Sequence, residues 1–317
     1  MDITTAVISY NTRELTETCI ESLLAQQPEC RSEVVIVDNG SNDGSRALAE
    51  GFVGRGGVAR VIANDTNTGY AAACNQAVRA AAGRHILILN ADTLVRPGAL
   101  DALVEFMDSH PGTGIAAPKL LYPDGRLQVS TANEMNLWTI FLQQTLLDRL
   151  RVFGKYFLLD WDHDSVRDVP QASGAALCVR REVFDAVGLF DEGYFMYCED
   201  TDFELRASRA GWKITYVPSA EISHYLGHSS SGDRHAMVIA YNRSIVRFFR
   251  KFRGPAAALV AKLLTLAGAK IRLIGWGLLC LFPPRTQTAW AKTKLFARVW
   301  IGTLRGPWGI RRIGALR

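Results

Sequence analysis

Beyond Asp233 the chain has no Asp or Glu, although 17 Lys and Arg lie there. Residues 1–233 hold the other 19 of the 36 Lys/Arg and all 31 acidic residues, a net of −12. The overall charge of +5 therefore hides an acidic body and a basic tail, an asymmetry that points to two jobs in two places. Other absences narrow the classes. The six cysteines (19, 30, 74, 178, 198, 280) form no CxxC pair and no metal-ligand spacing, which excludes a disulfide scaffold and a zinc module and predicts reduced thiols in a reducing compartment. Neither a GxGxxG after the first strand nor a Walker A sequence occurs, which argues against dinucleotide enzymes and P-loop NTPases. No apolar run reaches the roughly 18 uncharged residues of a spanning helix. The opening MDITTAVISYN has no basic n-region or long apolar h-region, so no secretory leader is expected.

What is present is enough for a large core. With 317 residues and 48% hydrophobic content, the chain can form one large domain with an appendage or two modest domains. Strand patterns at Thr4–Tyr10, Glu33–Asp38, Val58–Asn64 and His85–Asn90 alternate with helical patterns at Thr12–Gln26, Asn42–Glu50 and Gly69–Ala82. The last of these is rich in alanine and can lie close on a sheet. This βαβαβαβ order predicts an α/β fold with a parallel sheet and right-handed crossovers. The carboxyl ends of the strands would then share one edge, where ligands bind in open α/β sheets. Four polar clusters converge there: Ser9-Tyr10-Asn11, Asp38-Asn39-Gly40, Asn64-Asp65 and Asn90-Ala91-Asp92. A helix over Pro97–Ser109 and a strand over Gly114–Leu121 follow, then a turn at Tyr122–Gly125. Residues 126–168 carry no clear period apart from helical spacing over Leu137–Leu150.

Two places carry chemistry. The run HILILNAD (85–92) is a buried strand stopping at Asp92, which can either cap the next helix or offer an oxygen to a hard cation. Further on, Glu199, Asp200 and Asp202 put three carboxylates within four residues. Acids suit a helix N-terminus. These follow the largely aromatic stretch Tyr194–Tyr197, which predicts partial burial, and a partly buried carboxylate has a raised pKa and makes a better base near neutral pH. Ser173-Gly174 at the start of an apolar strand predicts close approach of backbone or ligand. His224 and His228 flank a Gly/Ser-rich loop, and a lone histidine of this kind is more often structural than a ligand.

The stretches VISYN (7–11), VVIVDNGSNDGS (34–45), NTGYAAACNQAV (67–78), ILNAD (88–92), SGAALCVRREVFDAVGLFDEGYFMYCEDTDFELRASRAGW (173–212) and HYLGHSS (224–230) occur in an order that resembles the family 2 inverting glycosyltransferases with the GT-A fold. The likeness covers about residues 3–232 and is greatest to the rhamnosyltransferase-like branch of bacterial surface-polysaccharide enzymes. It implies a mostly parallel Rossmann-like sheet and transfer of a sugar, rhamnose among the candidates, from a dTDP-, UDP- or GDP-sugar to a glycan or lipid-linked acceptor. It implies that Asp38 binds the base, with Tyr10, Asn11, Asn39, Gly69 and Asn75 on the nucleotide side. Asn90-Ala91-Asp92 occupies the place of the DxD motif, so Asp92 would hold Mg²⁺ or Mn²⁺ with His224, and Asn90 stands where the family's first acid is expected. Glu199-Asp200 matches the catalytic pair, with Asp200 as base. Ser173, Gly174, Tyr197 and Asp202 would shape the sugar and acceptor pocket.

The resemblance implies a catalytic domain over 1–240, with a nucleotide half to about 120 and an acceptor half beyond it. Residues 241–317 lie outside it. Arg243, Arg247, Arg250, Lys251 and Arg253 recur near helical spacing, and Lys262, Lys270 and Arg272 interrupt the apolar stretch Ala256–Phe282. This pattern predicts interfacial amphipathic helices on an anionic membrane, with Trp276, Trp290, Trp300 and Trp308 at the boundary; the alternatives are a helical subdomain packed on the acidic body and a shallow hairpin insertion. The expected placement is peripheral, on the cytoplasmic face. No nucleic-acid partner is expected, and a homo-oligomer is compatible with the sequence. The competing class is a non-catalytic relative that binds nucleotide or glycan as a membrane scaffold.

Overall fold

In a computed structural model, described here for residues 1–55, 57–150, 156–225, 234–282 and 286–305, the chain divides into two compact units. The first comprises Met1–Asn133, Phe157–Glu192 and Asp200–Ser229. The second comprises Glu134–Tyr156, Gly193–Glu199 and Ser230–Arg317. The Leu226–Gly232 loop with His228, and Trp308 near the C-terminus, fall outside the described residues.

The first unit is built on one mixed sheet. Its elements are β1 (Ile3–Ser9), α1 (Arg13–Leu24), β2 (Ser32–Asp38), α2 (Ser45–Glu50), β3 (Val58–Ala63), α3 (Tyr70–Ala80), β4 (His85–Asn90), β5 (Thr93–Val95), α4 (Ala99–Ser109) and β6 (Thr113–Leu121). After an excursion through the second unit's helix α5 (Leu137–Thr145) come β8 (Arg167–Asp168), β9 (Gln171–Ala172), β10 (Ala176–Arg180), α6 (Arg181–Val187), α7 (Glu199–Arg209) and β11 (Lys213–His224); β7 (Thr131–Ala132) precedes α5. The strand order is β3-β2-β1-β4-β10-β6-β11-β5, with β8 on β11 and a separate β7-β9 ribbon. β1 to β4 are parallel, as the βα alternation predicts, and β6 and β11 form a second parallel pair. β10 runs antiparallel between β4 and β6 and joins the two halves.

The strands are apolar at almost every position because both faces are covered. Ile3, Val7, Ile36, Leu87 and Leu89 face a core closed by α1, α2 and α4 through Ile20, Leu23, Ala49, Leu103 and Met107. Their neighbours Ala6, Ile8, Val37, Ile86 and Ile88 face a second core closed by α3, α6 and α7 through Ala73, Ala77, Val183, Phe184 and Phe203. Each fully buried Ile or Leu of β4 contributes about 1.5–3 kcal/mol, which makes β4 a rigid platform for the residues at its end.

In the second unit, α8 (Arg234–Leu279) packs with α9 (Thr286–Arg305) and α5. α8 breaks at Gly254, where φ is 85° and ψ 177°, and Pro255 follows. An L-residue rarely adopts that φ, and proline removes a helical N–H, so the kink is written into the sequence. Past it, Leu259 and Leu263, and then Ile271, Ile274 and Leu278, lie exposed at spacings of three or four residues within each group, while Ala258, Ala261, Thr265 and Ala269 are buried. Leu281 and Phe282 continue the exposed series at 72% and 65%. Among the described residues no helix is long and apolar enough to cross a membrane.

Candidate active site

The carboxyl ends of β1, β2 and β4 lie level. Ser9 is in register with Asp38, and Ile8 with Asn90. Asp38 is fully buried; its Oδ2 accepts from the Ser41 N–H, and its Oδ1 has no hydrogen-bond partner among the described residues. A buried acceptor without a partner is costly, and it suits the ring N–H of a base. Tyr10 stands half-buried at the same edge, and Asn11, with φ at +51°, accepts from Asn42 N–H through its side chain.

Asp92 caps no helix. The chain after it enters β5, and the N-cap of α4 is Gly98. β5 pairs antiparallel with the end of β11, putting His224 opposite Thr93. The Tyr225 N–H donates to the Asp92 carbonyl, which pins the two segments together. Both side chains are buried, and His224 Nε2 lies 3.5 Å from Asp92 Oδ1. The other ring nitrogen, Nδ1, is 2.7 Å from Gln128 Oε1, and Gln128 Nε2 donates to the His224 carbonyl at 3.2 Å.

A second group centres on Gly174. Its N–H donates to Asp200 Oδ2 at 3.0 Å, and its carbonyl lies 3.1 Å from the Tyr70 hydroxyl. The same hydroxyl is 2.7 Å from Asn90 Oδ1. Tyr70 and the Gly174 peptide thus tie Asn90, at the end of β4, to Asp200 on α7. One turn along α7, Glu204 is fully buried; its Oε1 accepts from the Ala172 N–H, and its Oε2 has no partner among the described residues. The strap 172–174 therefore runs along α7 on two carboxyl groups spaced by one turn. Burial raises the pKa of Asp200, opposed by hydrogen bonds from the Thr201 and Gly174 N–H groups. Burial and the nearby Asp200 charge push Glu204 well above the ordinary carboxylate range. Side chains so arranged could offer Asp38 to a nucleotide, the Asp92 and His224 pair to a cation, and Asp200 to a proton.

The sequence matches the family described as Glycosyl transferase family 2 over residues 4–161, and Glycosyl transferase family group 2 over residues 85–291. It is 32% identical over 256 residues to the N-acetylglucosaminyl-diphospho-decaprenol L-rhamnosyltransferase of Mycobacterium tuberculosis, covering 72% of this chain and 76% of that one. The chain belongs to glycosyl transferase family 2, and it is a glycosyltransferase of the rhamnosyltransferase-like branch. Solved structures of similar fold include GalNAc-T7 with UDP, GalNAc and Mn²⁺ (TM-score 0.59, 18% identity, 79% of this chain and 48% of that chain). Another is the mannosyltransferase PcManGT of Pyrobaculum calidifontis with GDP-Man and Mn²⁺ (TM-score 0.55, 18% identity, 96% and 87%). These likenesses establish the GT-A fold that the order of motifs implies.

On this family 2 frame the residues singled out in sequence separate into groups. Asp38, Tyr10, Asn90, Asp92, His224 and Gly174 stand at the strand ends or on the strap beside them, and Asp200, on α7, accepts from the strap. Ser173 is half-buried on the strap, held by its N–H to the Ser130 carbonyl. Ala91 is buried, its N–H bonded to Ile8 O beneath the site. Others organise loops. Asn39 is buried; its amide donates to Asn67 Oδ1 and Gly69 O and accepts from Asn64 and Thr68. Gly69, in turn, donates its N–H to Asn67 Oδ1 and is the N-cap of α3. Asn75 is buried against Phe190 and Glu192, bonding both, so its amide serves the 190–192 segment. Asp202 is buried beside Arg206, whose guanidinium also reaches the 187 and 189 carbonyls. Tyr197 and Glu199 belong to the second unit. Tyr197 has φ at +70° and stacks edge-on with Tyr241, and Glu199 is buried where α7 begins.

Three residues with no predicted role join the site: Tyr70, Gln128 and Glu204. Tyr70 sits within a quoted motif, at the first position of α3. The buried carboxyl of Glu204 is four residues from Asp200, the spacing that places two side chains on one helix face. Gln128, in LQVS, gave no signal beyond alternation with apolar neighbours.

Proposed function

We propose that this glycosyltransferase moves a sugar, rhamnose among the candidates, from a nucleotide donor to a lipid-linked glycan acceptor in cell-wall or surface-polysaccharide biosynthesis. The supporting observation is the tie from Asn90 through Tyr70 and Gly174 to Asp200, which puts a desolvated carboxylate beside the strand end that carries Asp92. The relative from Mycobacterium tuberculosis, whose name joins a rhamnosyl group to a diphospho-decaprenol-linked sugar, supports the choice of substrates.

In this reading Asp38 Oδ1 receives a ring N–H of the base. Asp92 and His224 form an oxygen and nitrogen donor pair of the kind a divalent ion takes, and donor phosphate oxygens would complete its shell. When held by Asp92 and His224, Mg²⁺ or Mn²⁺ would supply charge that stabilises the leaving diphosphate. Asp200 takes the proton from the acceptor hydroxyl. The acceptor oxygen bonds to the anomeric carbon, the bond from that carbon to the phosphate oxygen breaks, and the nucleoside diphosphate leaves. One displacement inverts the centre. The pKa raised by burial keeps Asp200 a stronger base than an exposed aspartate.

The catalytic body is residues 1–240, and the tail attaches it to the cytoplasmic face of the membrane. The exposed apolar stripe of α8 and exposed Trp290, with Lys294 over its ring, support this, as does a tail with many Lys/Arg and no acid. UDP-, GDP- and dTDP-sugars assayed with a polyprenyl-diphosphate-linked acceptor, with and without Mn²⁺, test the reading. Metal-dependent transfer from one donor class is the expected result, and absence of transfer from all of them refutes it. For the tail, flotation with phosphatidylglycerol vesicles should retain the protein, while Leu263→Glu with Ile274→Glu should release it. Equal flotation of that variant would remove the stripe from the account.

A further inference from the structure

We propose that Gln128 is a positioning residue that fixes His224 in the Nδ1–H tautomer, so that Nε2 presents its lone pair beside Asp92. The proposal rests on the reading of Asp92 and His224 as the cation-holding pair.

The assignment follows from two hydrogen bonds on one amide. Gln128 reaches both the carbonyl and the ring of His224. A backbone carbonyl only accepts, so the Gln128 atom 3.2 Å from it is the NH₂ group, which fixes the orientation of the amide. The other atom, 2.7 Å from the ring, is therefore the amide oxygen, which only accepts. Nδ1 must then carry the proton. A neutral imidazole has one N–H, so Nε2 is left with the lone pair, and it faces Asp92 Oδ1 at 3.5 Å. A lone pair and a carboxylate oxygen facing each other repel unless a cation or a proton lies between them. A ligating histidine commonly donates its second N–H to an acceptor behind it, which sets ring orientation and raises basicity.

The fold holds each part in place. After β6 the chain turns at Tyr122–Gly125 and comes back, with Gln128 N–H donating to Leu120 O. Leu120 is in register with Ile222 of β11, two residues before His224. Gln128 is 4% exposed, so its amide is held by these bonds rather than by water. The bland alternative is that Gln128 only satisfies the His224 carbonyl. Two substitutions separate the readings. Gln128→Leu removes both bonds. Gln128→Glu also loses the donor to the carbonyl, but its carboxylate can still accept from Nδ1–H.

The test uses full-length protein labelled with ¹⁵N-histidine at pH 8, with His224 identified by the loss of its signal in His224→Asn. Two-bond ¹H–¹⁵N correlations read the tautomer, and Mn²⁺ affinity is measured by EPR in the presence of UDP, GDP or dTDP. Thermal melts confirm that the variants fold. The wild type and Gln128→Glu should show Nδ1 protonated. Gln128→Leu should shift toward the Nε2–H form and bind Mn²⁺ roughly 10–100-fold more weakly. An Nε2–H tautomer in the wild type overturns the assignment, as does a Gln128→Leu variant with unchanged tautomer and affinity. If Gln128→Glu behaves like Gln128→Leu, the carbonyl bond is what matters and the tautomer role is refuted. A wild type with the expected tautomer that binds no Mn²⁺ overturns the cation reading itself, and with it the purpose assigned to Gln128.

Discussion

Substituting Gly174 by alanine should cripple turnover while leaving the donor bound. A Cβ at that position would lie 2.8 Å from Asp200 Oδ2, 3.1 Å from its Cβ and 3.2 Å from its Cγ. Ordinary contact begins near 3.4 Å, so the carboxyl or the strap must yield by about 0.6 Å, and more if the methyl is to sit comfortably. Two costs follow. Overpacking of this sort destabilises by about 1–3 kcal/mol. The bond from Gly174 N–H to the carboxylate, of a type that contributes about 1.5–3 kcal/mol, lengthens or breaks. The larger effect is on rate, since a shift approaching 1 Å in a reacting group costs about 10²-fold. Initial rates with saturating donor and acceptor should fall roughly 100-fold, with donor KM within about threefold because Asp38 and Asp92 are untouched. If Gly174→Ala kept kcat within twofold of wild type, Asp200 would not act from the position in which the strap holds it.

Tyr70→Phe removes the hydroxyl between Asn90 and Gly174; it should lower kcat roughly tenfold and cost only about 0.5–1.5 kcal/mol of stability in a denaturant melt. Asp202→Ala removes the carboxylate that neutralises the Arg206 guanidinium and leaves it only backbone carbonyls; breaking such a pair costs about 3–5 kcal/mol, so Tm should drop by roughly 6–20 °C, with near-normal specific activity in the fraction that stays folded. Burial raises Asp200, so the acid limb of the kcat profile should lie at higher pH than an ordinary aspartate, whose pKa is about 3.9. The same shift has a stability consequence. A carboxyl with a raised folded pKa makes the native state bind the extra proton, so stability falls as pH rises from the unfolded toward the folded value. Asp200→Asn should therefore melt above wild type at pH 8, with the gap closing as pH drops toward the ordinary carboxylate range; a constant gap would contradict the burial argument.

Half of the sheet was legible because its first four strands are apolar at both parities and separated by helical patterns, which leaves a parallel arrangement as the natural packing. Strand direction beyond that point was not. The apolar run at β10 looks the same in either direction, and only its partners make it antiparallel. β5, three residues long, carries no period, yet it removes the helix-cap reading of Asp92, since a strand rather than a helix follows that residue. Polarity at the strand ends marked the site but could not divide it. Asn39 and Asn75 resemble ligand contacts in the sequence and prove to be buried loop organisers, because an amide serves a loop or a ligand equally well. Gln128 was invisible for a related reason: its importance lies in a bond to a residue 96 positions away.

The most direct test of the account is turnover by Asp200→Asn, with donor binding measured in parallel by calorimetry. Asparagine keeps the size, and its carbonyl oxygen can still accept from Gly174 N–H, so the strap contact is kept while the base and the bond from Thr201 N–H are removed. Transfer should fall by about 10²–10⁴-fold with donor affinity unchanged. Transfer at the wild-type rate would show that Asp200 is not the base and would contradict the account.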